Sequence, residues 1–261
     1  MTALVECVPN VSEGRDETVL AGLAETFTAY RDVHLLHRHS DTDHNRTVFT
    51  VVGEPQPLLD AVFELYERAV ETIDLRLHRG VHPRLGAVDV CPFIPLTDHG
   101  STMDDCRGLA RRLGLAVSAR FGLPVFLYRE SATRDGRRAL AAIRHGQFEQ
   151  LDAKLSTPEW VPDFGPTERH PTAGVTIVGA RPILVAFNVV LATGDVEIAR
   201  AIAGELRESG GGLYGLRAMG VCLGSRGLVQ VSMNVEDYRR TPLQEVVQLI
   251  DSGARARHRG A

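Results

Sequence analysis

Apolar and polar positions in the first half of the chain follow two alternating spacings, one typical of helices and the other of strands. Val19, Leu23 and Phe27, for example, recur at the spacing of one helical face. Short β-branched and apolar runs that end in Gly, Pro or polar turns predict strands. The predicted elements are strand 3–8, helix 16–30, strands 33–38 and 47–52, helix 56–77, strand 87–94, helix 103–121, strand 124–128 and helix 136–145.

The same order of elements returns in the second half of the chain. A capping-box pattern, Thr241 with Gln244, and Pro242 at the first helical position predict the start of a last helix. The basic stretch 254–261 after it is expected to fray. The elements predicted before this helix are strand 183–191, helix 195–207 and strands 216–223 and 228–235.

The order strand, helix, strand, strand, helix therefore occurs twice, which predicts an α/β (α+β) protein of two ferredoxin-like subdomains. We place them at 1–174 and 175–261, with the Pro- and Gly-rich stretch 156–174 as a linker or a functional loop. The second copy shows no counterpart of strand 87–94, so we expect an incomplete subdomain whose first strand, 183–191, lies at a sheet edge. Because that strand is apolar on both faces, we expect another chain or the tail to cover it.

Composition and charge narrow the function classes. Apolar residues make up 44% and charged residues 24% of 261 residues, as in globular proteins, and the net charge is −4. A mildly acidic chain argues against nucleic-acid binding. The sequence has no CxxC pair, signal-peptide pattern or apolar run of membrane-spanning length, so we expect a soluble, cytoplasmic protein without a membrane anchor.

Two familiar catalytic motifs are missing from the sequence. It has no GxxxxGK[ST] phosphate loop, and the glycine run 210–212 follows a predicted helix, where a helix stop is the simpler interpretation. Ser225 lacks the GxSxG context of a serine hydrolase nucleophile.

Histidines cluster in residues 37–46, HRHSDTDHNR, where metal-ligand residue types are dense. The pattern approaches the HxHxDH motif of metallo-β-lactamases, but two extra residues separate Asp41 from His44. We therefore predict no metal site and interpret the stretch as a polar strand end at the rim of a pocket.

His82 lies in a basic loop, HRGVHPRLGA at 78–87, directly before Pro83. Proline favours an extended conformation in the residue before it, and a fixed imidazole near neutral pH suits general acid–base catalysis. An exposed loop histidine is the alternative. A third stretch, WVPDFGPTERHPTAG at 160–174, combines aromatic residues and prolines with Gly165, which would allow a ligand close to the backbone; an ordinary linker is the alternative.

Several segments resemble the formiminotransferase domain of the glutamate formimidoyltransferase (formiminotransferase-cyclodeaminase) family, without the cyclodeaminase domain. The similarity covers nearly the whole chain. The segments are ECVPNVSEG at 6–14, DHNRTVFTVVG at 43–53, HPRLGAVDVCPFIP at 82–95, PDFGP at 162–166, GARPILVAFNVVL at 179–191 and QVSMNVEDY at 230–238.

The resemblance implies two α/β subdomains with a ligand tunnel between them, in a homodimer. It also implies transfer of a formimino group from N-formimino-L-glutamate to N5 of tetrahydrofolate, giving 5-formiminotetrahydrofolate and L-glutamate in histidine degradation and one-carbon metabolism. Tetrahydrofolate is then a substrate, and no metal is expected.

The family's catalytic histidine corresponds to His82, which would take the N5 proton and protonate the departing amine in turn. The substrates are polycarboxylates, so we also consider Arg46, Arg84 and Arg181 as anion partners by residue type. The substrate-binding candidates are Asn45, Arg46, Arg84 and the family's folate segment: Gly165, Pro166, Thr167, Glu168, Arg169, His170, Pro171, Thr172, Ala173 and Gly174.

The chain departs from the family at His37 and His39, where members commonly carry an acidic residue that orients or stabilises the catalytic imidazole. Histidine does not replace a carboxylate in that role, and together with the incomplete second subdomain this keeps the first of three alternatives open; the other two are independent of it. The three alternatives, in this order, are a folate-binding protein with little or no transferase activity, a relative that converts 5-formyltetrahydrofolate, and an enzyme that uses a glycine derivative as the amino-acid donor.

Overall fold

A computed structural model describes residues 3–258, which form two compact units on either side of the bond between Arg181 and Pro182. The sequence placed this division after residue 174. It falls later because Thr176–Ala180 forms a strand inside the sheet of the first unit, where its five residues are buried. Among the described residues, no helix is both long and apolar enough to cross a membrane.

The first unit contains a seven-stranded sheet with helices against it. Its strands are β1 Val5–Cys7, β2 Asn10–Val11, β3 Val33–Asp41, β4 Arg46–Gly53, β5 Val88–Pro95, β6 Val125–Arg129 and β7 Thr176–Ala180. Its helices are α1 Glu17–Thr28, α2 Pro55–Thr72, α3 Met103–Phe121 and the two short helices α4 Leu140–Arg144 and α5 Leu151–Leu155.

The strand order of this sheet confirms the ferredoxin-like prediction. β3 pairs with β4, β4 with β1 and β2, and both of these with β5, all antiparallel. β7 then pairs with β5 and β6 in parallel and lies between them. The two parallel strands β7 and β6 therefore extend the predicted ferredoxin-like sheet beyond β5.

Local sequence sets the ends of the long helices. The side chain of Asp16 accepts hydrogen bonds from the first turn of α1, and Thr102 with Asp105 forms a capping box at the start of α3. Gly122, in the left-handed conformation, ends α3 where the sequence predicted. The predicted helix 56–77 stops at Thr72, and helix 136–145 shortens to α4.

The second unit has a three-stranded antiparallel sheet in the order β8-β10-β9, with two helices. The bounds are β8 Val185–Leu191, α6 Val196–Leu206, β9 Leu216–Leu223, β10 Leu228–Val235 and α7 Leu243–His258. Because the first three strands of a ferredoxin-like unit follow this order, the predicted repeat is confirmed.

β8 lies at one edge of that sheet in the described part of the chain, as predicted. Its two faces differ, however, because Ala186, Asn188 and Val190 are exposed while the residues between them are partly buried. The predicted frayed tail is wrong from 254 to 258, since α7 continues to His258 and Gly253 packs against Ile202 of α6. Residues 259–261 of that tail lie outside the described residues. The hydroxyl of Thr241, the predicted cap of the last helix, donates to the carbonyl oxygen of Tyr214, and α7 begins at Leu243.

Candidate active site

Polar side chains occupy the face of β3 and β4 that points away from the helices. Phe49 faces the helices, since its ring lies 5.6 Å from that of Phe27 in α1. Alternation along the strands therefore places Arg46 and Thr50 of β4 on the opposite face, beside His37 and His39 of β3. The two imidazoles are exposed and stacked, with ring centroids 6.3 Å apart.

His82 lies in the loop before β5, half-buried, and a backbone carbonyl holds its ring. Nδ1 is 2.7 Å from the carbonyl oxygen of Pro83. Because a carbonyl only accepts, Nδ1 carries the proton, and the neutral ring keeps a lone pair on Nε2. Burial, helped by the positive charges of Arg46 and Arg144, holds the pKa of His82 well below its usual value. The arrangement therefore presents a neutral imidazole able to act as a base.

His44 stands beside this ring, at 5.7 Å between centroids. Its backbone amide donates to Oδ1 of Asp41, 2.8 Å away, which fixes the turn between β3 and β4. Burial lowers the pKa of His44, so this second ring is also neutral near pH 7. Its Nε2 is buried and has no hydrogen-bond partner among the residues that the structure describes.

The carboxylate of Asp89 in β5 binds two guanidinium groups, those of Arg46 and Arg144. Its Oδ2 accepts from Nη1 of Arg46 at 2.9 Å and from Nη2 of Arg144 at 2.5 Å, and its Oδ1 accepts from the amide of Leu85 at 2.8 Å. The carboxylate is fully buried, and the two nearby cations hold its pKa well below the ordinary range. Desolvation, in turn, lowers the pKa of Arg46 to about 10.

Each nitrogen of the Arg46 guanidinium makes a hydrogen bond within the protein. Its Nε and Nη2 donate to Oδ1 of Asn10 at 3.2 and 3.0 Å, while Nη1 is bound to Asp89. The predicted anion partner is thus at the site, but as a buried charge fixed within the protein.

Arg84, another predicted anion partner, also makes its contacts within the protein. It forms a two-point ion pair with Glu149 at 2.8 and 2.7 Å, and its Nε donates to Nδ1 of His78 at 3.1 Å. Since Nδ1 accepts, Nε2 of His78 carries the proton and donates to the carbonyl oxygen of Asn45 at 2.8 Å. Through these contacts Arg84 fastens the His82 loop to the Asn45 turn, and its role as an anion partner stays a prediction.

Asn45, predicted to bind substrate, adopts a left-handed conformation with φ of 47°. Its side-chain oxygen accepts from the amide of Gly14 at 2.9 Å, and its Nδ2 donates to the carbonyl oxygen of Arg79 at 3.2 Å. A Cβ on Gly80 would lie 2.2 Å from the carbonyl oxygen of His44, so only glycine allows this approach. The turn that carries His44 and the loop that carries His82 are therefore locked together.

The predicted folate segment 165–174 belongs to the first unit and ends in a tight hairpin. His170 and Gly174 exchange backbone hydrogen bonds of 2.9 and 3.0 Å, and Nδ1 of His170 accepts from the amide of Ala173. Gly165 has φ of 92°, and a Cβ there would meet the protein's own Leu123 oxygen at 2.6 Å. The sequence assigned this glycine to ligand approach, whereas in the structure it allows close packing of the chain on itself.

Part of this segment lines an open cavity of about 860 Å³ within the first unit. Arg169 lies in its wall, with Nε 2.9 Å from Oδ1 of Asp152 and its guanidinium over the Phe148 ring at 4.4 Å. Trp160 is not part of that wall: its ring packs edge-on against Phe126, and the Lys154 ammonium lies 3.9 Å from its centre. The cavity is lined by Asp152, Leu155, Ser156, Thr157, Pro158, Val161, Thr167, Glu168, Arg169 and Pro171.

The structure thus brings together His82, His44 and Arg46 and adds two residues that the sequence analysis missed, Asp89 and Arg144. Asp89 is part of the quoted segment 82–95, but nothing in its spacing marks it as the partner of a residue 55 positions away. Within residues 3–258 we find no group of three or more His, Cys, Asp or Glu side chains able to hold a metal ion.

Comparisons with known proteins give one consistent result. Residues 4–181 match the model of the N-terminal subdomain of the formiminotransferase domain, and residues 186–259 match the model of the formiminotransferase domain. The chain is 45% identical over 255 residues to a glutamate formimidoyltransferase of Streptococcus pyogenes serotype M1. The aligned region covers 98% of this chain and 85% of that protein.

Two further relatives agree with this match. A glutamate formimidoyltransferase of Thermoplasma acidophilum is 42% identical over 250 residues, covering 95% of this chain and 82% of that protein. The formimidoyltransferase-cyclodeaminase of Sus scrofa is 41% identical over 254 residues, which is 95% of this chain but 46% of that protein.

Proposed function

The chain belongs to the formiminotransferase family, and from that membership we infer its reaction. It transfers the formimino group of N-formimino-L-glutamate to N5 of tetrahydrofolate and releases L-glutamate and 5-formiminotetrahydrofolate. It is therefore a one-carbon group transferase, and tetrahydrofolate is a substrate rather than a bound cofactor. The identity of 45% over 98% of the chain carries this conclusion.

We propose His82 as the catalytic acid and base. When N5 attacks the formimino carbon, it becomes positively charged and must lose its proton, while the glutamate nitrogen must gain one to leave. The neutral Nε2 of His82 accepts the first proton, and the resulting imidazolium donates the second. Its fixed tautomer, with Nδ1 bound to Pro83, supports this role because Nε2 stays available.

The cations near His82 favour its basic form before the attack and its return to that form afterwards. Burial, together with the charges of Arg46 and Arg144, lowers the pKa of the ring, so it is unprotonated when the substrates arrive. The imidazolium formed in their presence is a stronger acid than an isolated one, which assists protonation of the departing amine.

We further propose that residues 165–174 form one wall of the folate site. Thr167, Glu168, Arg169 and Pro171 already line a cavity of about 860 Å³, a volume within the range of small-molecule sites. Arg169 offers a cation for the glutamyl carboxylates of the folate, although Asp152 holds it without ligand.

A direct assay tests the reaction. Purified protein is mixed with tetrahydrofolate and N-formimino-L-glutamate, and formation of 5-formiminotetrahydrofolate is followed by absorbance. Turnover that requires both substrates supports the proposal. Saturable tetrahydrofolate binding without turnover would identify a folate-binding protein instead, and turnover with N-formiminoglycine in place of the glutamate derivative would change the donor.

Association into homodimers and a cytoplasmic location are further proposals. β8 is an edge strand of its sheet in the part of the chain that the structure describes, and the side chain of Val190 is exposed, which supports association through this strand. Light scattering at micromolar concentration tests the oligomeric state: a monomer would contradict it. Cell fractionation tests the location.

A further inference from the structure

The cluster around Asp89 holds more positive than negative charge. Arg46 and Arg144 share this single buried carboxylate, and their side chains are only 7% and 15% exposed. The two histidines beside them, His44 and His82, are neutral because burial lowers the pKa of both. Among the ion pairs that the structure describes here, one positive charge therefore has no carboxylate of its own, and such a charge is costly in a partly desolvated site unless a ligand supplies an anion.

Two polar atoms in the same cluster are also unsatisfied. Nε of Arg144 and Nε2 of His44 are buried without a hydrogen-bond partner in the described chain. Buried polar groups are nearly always paired, so two such atoms close to one catalytic ring mark a place where a bound group would find hydrogen-bond partners. The cluster thus combines an excess of positive charge with two polar atoms that have no described partner.

Arg144 is the cation with that free capacity. All three nitrogens of the Arg46 guanidinium are bound to Asp89 and Asn10. Arg144 uses Nη2 for Asp89 and leaves its Nε without a partner in the described chain. An anion entering the cluster would therefore bind to Arg144 rather than to Arg46.

The chemistry of the donor identifies the anion. In an N-formimino amino acid, the nitrogen that leaves is bonded to Cα, which carries the α-carboxylate, so the carboxylate carbon lies about 2.5 Å from that nitrogen. The group that protonates this nitrogen must lie within hydrogen-bond reach of it. Because His82 has that role in the proposed function, on which this inference rests, the α-carboxylate must lie beside the same cluster. The γ-carboxylate lies two bonds further from that nitrogen than the α-carboxylate does, and the folate glutamyl tail belongs to the other substrate.

We propose that Arg144 binds the α-carboxylate of the formimino donor and so selects N-formimino α-amino acids as substrates. The contact completes the charge balance of the Arg46–Asp89–Arg144 cluster. It also orients the departing nitrogen towards Nε2 of His82.

Two donors that differ in one group test this. N-formimino-L-glutamate is compared with N-formimino-4-aminobutyrate, which lacks only the α-carboxylate, using the wild-type protein and the Arg144→Gln variant. Loss of a charged hydrogen bond should lower kcat/KM for the glutamate donor by roughly 10- to 100-fold. The ratio of kcat/KM between the two donors should fall by the same factor in the variant, because any effect of Arg144 through the pKa of His82 acts on both donors alike.

Controls separate binding from folding. Arg138→Gln removes a guanidinium on the same stretch of chain that is 53% exposed and paired with Glu130, and it should leave both donors unaffected. Arg144→Lys keeps the charge and should recover part of the loss. Equal loss with both donors in Arg144→Gln would overturn the assignment and identify Arg144 as a structural residue.

A binding measurement distinguishes failure of this inference from failure of the proposed reaction. Calorimetric affinities of L-glutamate and 4-aminobutyrate are measured for wild type and Arg144→Gln, independently of turnover. A selective loss of L-glutamate affinity in the variant supports the α-carboxylate contact even if no transfer is seen. Affinities for both ligands that are the same in wild type and variant would overturn the contact, whatever the activity.

Discussion

Nδ1 of His82 donates a hydrogen bond of 2.7 Å to the carbonyl oxygen of Pro83, its own neighbour in the chain. A backbone carbonyl thus performs the orienting task that the family resemblance assigned to an acidic side chain. The histidines at positions 37 and 39 do not disturb this hydrogen bond, because it is formed within the loop itself. The sequence departure that suggested an impaired enzyme therefore leaves the orientation of the base in place.

His82→Ala should lower turnover by roughly 10²- to 10⁴-fold, since the substitution removes the acid and base together. Tetrahydrofolate affinity should stay within a few-fold, because the loop is still held by Arg84 and Asn45. Steady-state kinetics with a fluorescence titration of the folate measures both. His39→Ala and His44→Ala are the controls, and near-normal turnover of His82→Ala would contradict the assignment.

The acidic limb of the pH profile should lie below the ordinary histidine value of about 6.5. The base works as neutral imidazole, and its lowered pKa keeps it unprotonated to lower pH, so kcat/KM should fall only below that value. Arg144→Gln removes one of the charges that lower this pKa and should move the limb upwards. A limb that does not move would show that Arg144 exerts no such field on His82.

Asp89→Asn should destabilise the protein by about 3–5 kcal/mol, because two buried guanidinium groups lose their shared counter-charge. Urea unfolding measures the change. Glu17→Gln, which removes an exposed partner of Arg38, should cost less than about 1 kcal/mol. A loss from Asp89→Asn no larger than this control would contradict the charge argument.

The same carboxylate gives a pH dependence of stability. The pKa of Asp89 is lowered in the folded state, so its contribution is present above the unfolded value of about 3.9 and is lost as the pH falls through the folded value. The free energy of unfolding of the wild type should therefore decline below about pH 4 more steeply than that of Asp89→Asn.

Two glycines in α3 should respond to alanine with opposite signs. A Cβ on Gly108 meets no atom within 4 Å, so Gly108→Ala should stabilise the helix by about 0.5–1 kcal/mol. A Cβ on Gly114 would lie 3.0 Å from the ring of Phe164 and 3.2 Å from Val125, so Gly114→Ala should destabilise by about 1–3 kcal/mol. Thermal unfolding of the two variants checks the pair, and equal effects would contradict the packing argument.

Saturating tetrahydrofolate should slow amide hydrogen exchange in residues 165–174, the proposed wall of the folate site. The amides of His170 and Gly174 already form a hairpin, so the change should be greatest in 167–169, which line the cavity. Mass spectrometry of peptic fragments measures it, with α1 as the internal control. Unchanged exchange across 165–174 would place the folate elsewhere.

Sequence alone predicted the elements whose signals are local. The bounds of α3 are those predicted, because Thr102 and Gly122 mark its ends, and β9 and β10 also match. The position of His82 came from the family resemblance and its loop context. These features depend on residues close together in the chain.

What the sequence did not predict depends on distant partners. Arg84 was interpreted as an anion site by residue type, but its partner Glu149 lies 65 residues away. Arg144 could not be assigned to the site from the sequence, because it joins the site only through its ion pair with Asp89, which also binds Arg46. β7 was overlooked because its five residues follow a Pro- and Gly-rich stretch that has the composition of a linker.

The position of β7 in the sheet has a consequence for folding of the chain during its synthesis. Val90 pairs with Ile177, and β6 has no sheet partner other than β7 among the described strands. A nascent chain therefore cannot close the sheet of its first unit until Ala180 has left the ribosome, and until then the apolar edge of β5 stays open. We expect fragments that end at residue 174 to aggregate during synthesis, whereas fragments that end at 181 should fold.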